Sequence, residues 1–127
     1  MTIRTAPFPT LPVADLERAS KFYEHTLGFV PATEQMSGGR FYEAGGGRIL
    51  LYETDAGGTA ENTAAAWLVD DIESEVTRLA DAGVRFETFN TPGLEWDGLI
   101  ASMGDVRSAW FKDTEGNTLS IGEMLDH

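Results

Sequence analysis

The sequence predicts an α+β fold in which one β-α-β-β-β unit occurs twice and the two copies close on a small-molecule cleft. Three observations carry this reading. Two segments have the three-to-four spacing of an amphipathic helix, and several runs of branched and aromatic residues are separated by glycine turns. Both patterns recur in the same order along the chain, which is the mark of an internal repeat. At 127 residues the chain suits a single domain with one core.

The first strand should be an edge or irregular strand, because prolines 7, 9 and 12 cannot donate ladder hydrogen bonds. Asp15 then caps a helix whose apolar face is Leu16, Ala19, Tyr23 and Leu27, and Gly28 stops it. Residues 48–53 read as a strand, with Gly45-Gly46-Gly47 before it as a hairpin turn. No helix follows those glycines, so they do not read as a phosphate cradle. Asp70 with Glu73 resembles a capping box for a second helix, with Ile72, Val76, Leu79 and Ala80 as its apolar face and Gly83 as its end. The acidic residues at both helix starts thus have a structural task and are not read as metal ligands. Trp110-Phe111 and Leu119-Ser120-Ile121 flank a last turn at Asp113-Thr114-Glu115-Gly116.

The repeat is explicit in the residues. Leu11-Pro12-Val13-Ala14-Asp15-Leu16-Glu17 matches Trp67-Leu68-Val69-Asp70-Asp71-Ile72-Glu73 at an offset of 56, and Tyr42…Gly47 matches Phe111…Gly116 at an offset of 69. The second copy therefore carries 13 extra residues, which we assign to 91–103, a stretch containing Pro92 and Gly93. The expected boundaries are 1–56 for the first module and 62–124 for the second, within one domain. Neither half can bury its sheet face alone.

Composition narrows the function. A net charge of −12 is repelled by phosphate backbones, so no nucleic acid is expected as a partner. The acidity confers solubility and would also draw a cationic ligand. There is no cysteine, which removes disulfides, thiolate metal sites and thiol nucleophiles and fits a reducing compartment. The first ten residues have no basic-then-apolar leader pattern and no apolar run approaches a membrane span, so a cytoplasmic protein with no membrane partner is expected.

Val13-Ala14-Asp15-Leu16-Glu17-Arg18-Ala19, Phe22-Tyr23 and Leu27-Gly28-Phe29 resemble the opening module of the vicinal oxygen chelate superfamily. That superfamily includes glyoxalase I, fosfomycin resistance enzymes, extradiol dioxygenases and bleomycin resistance proteins. Trp110-Phe111-Lys112-Asp113-Thr114-Glu115-Gly116-Asn117 resembles its closing hairpin, with Thr114 in place of the usual proline and Glu115 in place of the second aspartate. The resemblance implies a curved mixed sheet around a cleft, the glyoxalase/bleomycin resistance fold, commonly shared in a homodimer. A linker at 54–63, rich in Gly and Ala, would allow the modules to exchange.

The resemblance also implies four metal-ligand positions, held in the enzymes by His, Glu or Gln. Here they fall on Phe8, Leu51, Ala64 and Ser120, none a strong ligand, and a one-residue shift adds only the phenol of Tyr52. His25, late in the first helix, and the terminal His127 are poorly placed to substitute. The expectation is therefore no metal and no other cofactor. Lacking a Lewis acid and any Ser-His-Asp set, the chain reads as a metal-independent binding protein. Its ligand would be a hydrophobic or aromatic compound such as an antibiotic, with a cationic one drawn by the acidity, sequestered in a resistance-type role. The expected substrate-binding residues are Phe8, Leu51, Glu53, Ala64, Trp96, Trp110 and Ser120, with Phe41, Tyr42 and Trp67 as further aromatics. Two alternatives stand beside this reading: an isomerase, lyase or hydrolase using Glu53 or Asp97 as general base without a metal, and a metal-dependent glyoxalase-like lyase with its ligands elsewhere.

Overall fold

The computed structural model describes residues 8–33, 35, 37–55 and 62–125. Most of the 54–63 linker, the first seven residues and His127 lie outside these residues. The first module runs β1 (Thr10–Val13), α1 (Leu16–Lys21), β2 (Val30–Pro31), β3 (Gly39–Ala44) and β4 (Gly47–Glu53). α1 continues as a π-helical turn over Phe22–Thr26, where the Leu27 amide bonds the Phe22 carbonyl five residues back at 3.0 Å. The second module runs β5 (Thr63–Leu68), α2 (Ile72–Asp81), β6 (Phe86–Glu87), β7 (Glu95–Asp97), β8 (Ile100–Met103), β9 (Val106–Lys112) and β10 (Thr118–Met124).

Each module forms its own mixed sheet. The first has four strands in the order β1-β4-β3-β2, so the proline-bearing β1 is an edge strand, parallel to β4. The second has six, with β5-β10-β9-β8-β7 in sequence and β6 also paired to β9. β6 is the counterpart of β2, since Phe86 faces Phe111 as Pro31 faces Tyr42. The β7–β8 hairpin has no counterpart in the first module and falls within 91–103, where the sequence places the extra residues.

Each helix packs on one face of its sheet and closes the core. Leu11, Val13, Ala19, Tyr23, Tyr42, Ile49 and Leu51 are buried in the first module, and Ile72, Val76, Leu79, Ala109, Phe111, Leu119 and Ile121 in the second. Asp15 caps α1 as expected, accepting from the Arg18 amide at 3.1 Å. The cap of α2 is Asp71, not Asp70. Asp71 has the extended backbone of a cap, accepts from the Ser74 amide and leaves Glu73 free to pair with Arg107 at 2.7 Å. Ala80 is exposed and contributes nothing to the apolar face. Gly45 and Gly46, at φ +56° and +82°, form the left-handed pair that a two-residue hairpin turn requires.

The modules are joined by the closing hairpin. The Glu115 side chain is 0% exposed and accepts from the Ala14 and Asp15 amides at 3.0 and 2.9 Å while pairing with Arg18 at 2.7 Å. Asp113 accepts from the buried Tyr23 hydroxyl at 2.8 Å, and Asn117 donates to the Pro12 carbonyl at 2.9 Å. Burial opposes the charge on Glu115. The bonds from Arg18, the Asp15 amide and Thr114 outweigh that cost and hold its carboxyl down at about 2. Burial is also the first cause that raises the Tyr23 phenol well above its ordinary value, with Asp113 adding to it.

Candidate functional site

Strand pairing decides which side chains face the helices and which face away. In the second sheet Trp96 lies opposite Ala101, Ala101 opposite Ser108, Trp110 opposite Ser120 and Ser120 opposite Ala66. Directly opposed residues share a face, so Trp96, Trp110 and Ser120 stand on the face turned away from α2, whereas Ala64 lies at a register shift between β5 and β10 and packs against the core. Three expected site residues are thus brought together on one surface. Phe8 stands on the corresponding face of the first sheet, its ring 5.6 Å from Phe41, and the Arg48 guanidinium lies 5.1 Å over the Phe41 ring.

Leu51 and Glu53 do not join them. Leu51 is fully buried in the core against α1, and Glu53 on the same side accepts from the Leu16 amide at 3.0 Å. Glu53 is a helix-capping group, matched in the second module by Glu123, which accepts from the Ile72 amide at 2.9 Å. Asp97 is likewise turned away from Trp96, being paired with the buried Ile100, and its charge acts on Arg107. Tyr42 is a core residue, bonded to Glu24 at 2.6 Å, and Trp67 packs between Phe29 and Phe111. The two carboxylates expected as bases therefore sit on the wrong sides of their strands.

What stands on the open face of the second sheet is an aromatic wall. The Trp96 and Trp110 rings are 5.9 Å apart, and Phe89, from the segment between β6 and β7, lies edge-on to both at 5.5 and 4.9 Å. Beside it is a pocket of about 250 Å³ lined by residues that include Pro92, Leu94, Ala101, Met103, Val106 and Trp110. No lining side chain is charged. Phe89 and the pocket floor were not singled out in the sequence; the extra length of the second module was the available signal. A larger opening of about 730 Å³ lies between the modules, near Phe22, Arg85 and Lys112. It is an open joint more than a site, since Asp113 in its wall is engaged by Tyr23 and Asn117, and Lys112 bonds Thr118.

The donor set does not fit the superfamily-type metal implied by the resemblance. Among the described residues no three His, Asp or Glu side chains converge to hold an ion, and the open faces offer Phe8, Tyr52 and Ser120 where ligands would be needed, with Leu51 in the core and Ala64 packed against it. His25 is exposed on the π-helical turn.

Comparison with known proteins decides the family. A family model, Glyoxalase/Bleomycin resistance protein/Dioxygenase superfamily, matches residues 5–121. The chain belongs to that superfamily. Its two helices and two mixed sheets are the superfamily's fold, and solved structures agree. The genomically encoded fosfomycin resistance protein FosX from Listeria monocytogenes matches at a TM-score of 0.71 and 16% identity, covering 99% of this chain and 94% of FosX. Lactoylglutathione lyase from Agrobacterium tumefaciens matches at 0.68 and 18%, covering 95% of each. TnmS3, an antibiotic binding protein from Streptomyces sp. CB03234, matches at 0.64 and 26%, covering 98% of each. No curated protein matches the sequence. No described helix is long and apolar enough to cross a membrane.

Proposed function

We propose that this superfamily member is a metal-independent small-molecule binding protein that holds a flat, apolar compound such as an antibiotic against Trp110 and Trp96 without transforming it. The observation that carries the reading is the uncharged pocket of about 250 Å³ beside three mutually packed aromatic rings. A flat ligand burying roughly 200 Å² of apolar surface there gains about 5 kcal/mol, and each edge or offset ring contact adds about 1 kcal/mol. The absence of a charged lining residue favours an uncharged ligand over the cationic one that net charge alone suggests. The similarity to TnmS3, an antibiotic binding protein, supports the same direction. Catalysis by Glu53 or Asp97 has no support from their placement, as both project away from the aromatic wall.

Within this reading the protein works as a cytoplasmic homodimer. Leu68, Met124 and Leu125 are exposed at 66%, 53% and 39% beside the edge strand β5, and such a strip favours a covered face. The test is quenching of tryptophan fluorescence by a panel of neutral aromatic antibiotics, with the bound compound recovered and weighed by mass spectrometry. Binding of at least one compound, returned unchanged and weakened at least tenfold by Trp110→Ala, is expected. A compound returned chemically altered, or a melting temperature raised by added divalent ions together with metal near one per chain, would overturn the proposal.

A further inference from the structure

Trp96 carries a buried indole N–H with no hydrogen-bond partner, the one such side-chain group among the described residues. Donors of this kind are rare in folded proteins because losing water without gaining an acceptor is unfavourable. Nothing in the fold requires it. A phenylalanine would pack against Phe89 and Trp110 without leaving a donor unmatched, so the nitrogen has no structural task.

The Trp96 ring packs against a group that is weakly held. Phe89 packs edge-on to Trp96, with an interplanar angle of 86°, and edge-on to Trp110, yet it is 41% exposed. It belongs to the segment between β6 and β7, whose internal backbone bond is a long one, 3.4 Å from the Leu94 amide to the Thr91 carbonyl. Trp96 and Trp110, by contrast, are fixed in paired strands. Of the three rings, Phe89 is the one that can leave.

We infer that Phe89 is a displaceable cover and that the ligand is a planar aromatic bearing an oxygen acceptor on its edge, which takes the place of the Phe89 ring and accepts a hydrogen bond from Trp96 Nε1. The inference rests on the binding reading above and narrows it: shape is read by the two tryptophan rings, and chemistry by one donor. A ligand ring replaces the edge contacts that Phe89 gives up, and the acceptor supplies the bond the folded protein lacks. Hydrocarbons of the same shape fit the wall but leave the donor unmatched, which is the arrangement that gives the sharpest discrimination between near-isosteric ligands.

The experiment uses two neutral bicyclic probes, coumarin, which has a carbonyl, and naphthalene, which has none, with the wild-type protein and Trp96→Phe. Coumarin affinity is expected to fall about tenfold in Trp96→Phe, equivalent to 1.4 kcal/mol, while naphthalene affinity stays within about twofold. In the wild type, the Trp96 indole N–H resonance, assigned by its absence from Trp96→Phe, moves downfield with coumarin and not with naphthalene. Phe89→Ala is expected to bind coumarin at least as tightly as the wild type. Equal losses for both probes in Trp96→Phe, or an N–H resonance indifferent to coumarin, overturn the acceptor while leaving the binding pocket standing. Loss of coumarin binding in Phe89→Ala overturns the cover. If neither probe perturbs the wild type, the pocket reading itself fails and the inference falls with it.

Discussion

Replacing Glu115 by glutamine tests whether the hairpin that joins the modules is held by an ionised carboxylate. Glutamine keeps one oxygen for the Ala14 and Asp15 amides but presents an NH₂ group where Arg18 and Thr114 now donate. The wild-type carboxyl sits at about 2 against an ordinary 4.5. At about 1.36 kcal/mol per unit, ionisation of this one group contributes roughly 3.4 kcal/mol at neutral pH. Arg18 is half-exposed and regains water when its partner changes, so the measured loss should be nearer 2–3 kcal/mol, or a melting temperature lower by about 10 °C. Because the folded carboxyl is depressed, its contribution is complete above the unfolded value and disappears as pH falls through the folded one. About 1.4 kcal/mol of it is gone by pH 3.5. Urea unfolding followed by far-ultraviolet circular dichroism at pH 7 and pH 3.5 should therefore show the wild type and Glu115→Gln converging as the solution is acidified. A gap that is under 1 kcal/mol at pH 7, or is the same at both pH values, would refute the argument that the charge holds the joint.

Four further outcomes follow from the same geometry. Glu53→Ala and Glu123→Ala each leave the first amide of a helix without its side-chain acceptor and should cost about 1 kcal/mol apiece in urea unfolding. Glu53→Ala should leave ligand quenching of tryptophan fluorescence unchanged, and a loss of binding would return Glu53 to the site. Tyr23→Phe strands Asp113 with one bond fewer in a buried setting and should cost about 1–3 kcal/mol. In the wild type, ultraviolet titration should show the Tyr23 phenolate forming only well above pH 10.

The elements were legible because their signals are local. Asp15, Gly28, Gly45-Gly46 and Gly83 act within a turn of themselves, and each does in the fold what its chemistry requires. The duplication was legible for the same reason, and it located the extra β7–β8 hairpin. What the sequence left open is which face of a strand is which. Ile49-Leu50-Leu51-Tyr52 is an unbroken apolar run, so alternation offers no preference between the α1 side and the open side. Only the pairing of Leu51 with Leu11 and Arg40 assigns it to the core, and Glu53 goes with it. Asp97 fails in the same way, on a strand of three residues too short to show a period. The tandem Asp70-Asp71 left the α2 cap uncertain by one position, which backbone geometry settles in favour of Asp71.

The repeat also separates scaffold from site. Both modules share an aspartate cap, a glycine stop and a last-strand glutamate that accepts from the first helical amide, so these acidic residues are explained by the helices they serve. Where the copies differ, a second cause is needed. One difference is the hairpin tip, two glycines in the first module and Asp113 to Asn117 in the second; the second tip docks on α1 and its charges are spent there. The other is the β7–β8 hairpin with the segment leading to it. The first module forms its sheet without any such addition, and β9 has neighbours in β6 and β10 besides β8. The hairpin nevertheless brings Trp96 to Trp110 and, with Phe89, builds a wall of three rings in which the buried Trp96 N–H has no partner among the described residues. A feature that the fold does not require, that places large aromatic surface on an open face and leaves a donor unmatched, is best accounted for by something that binds there.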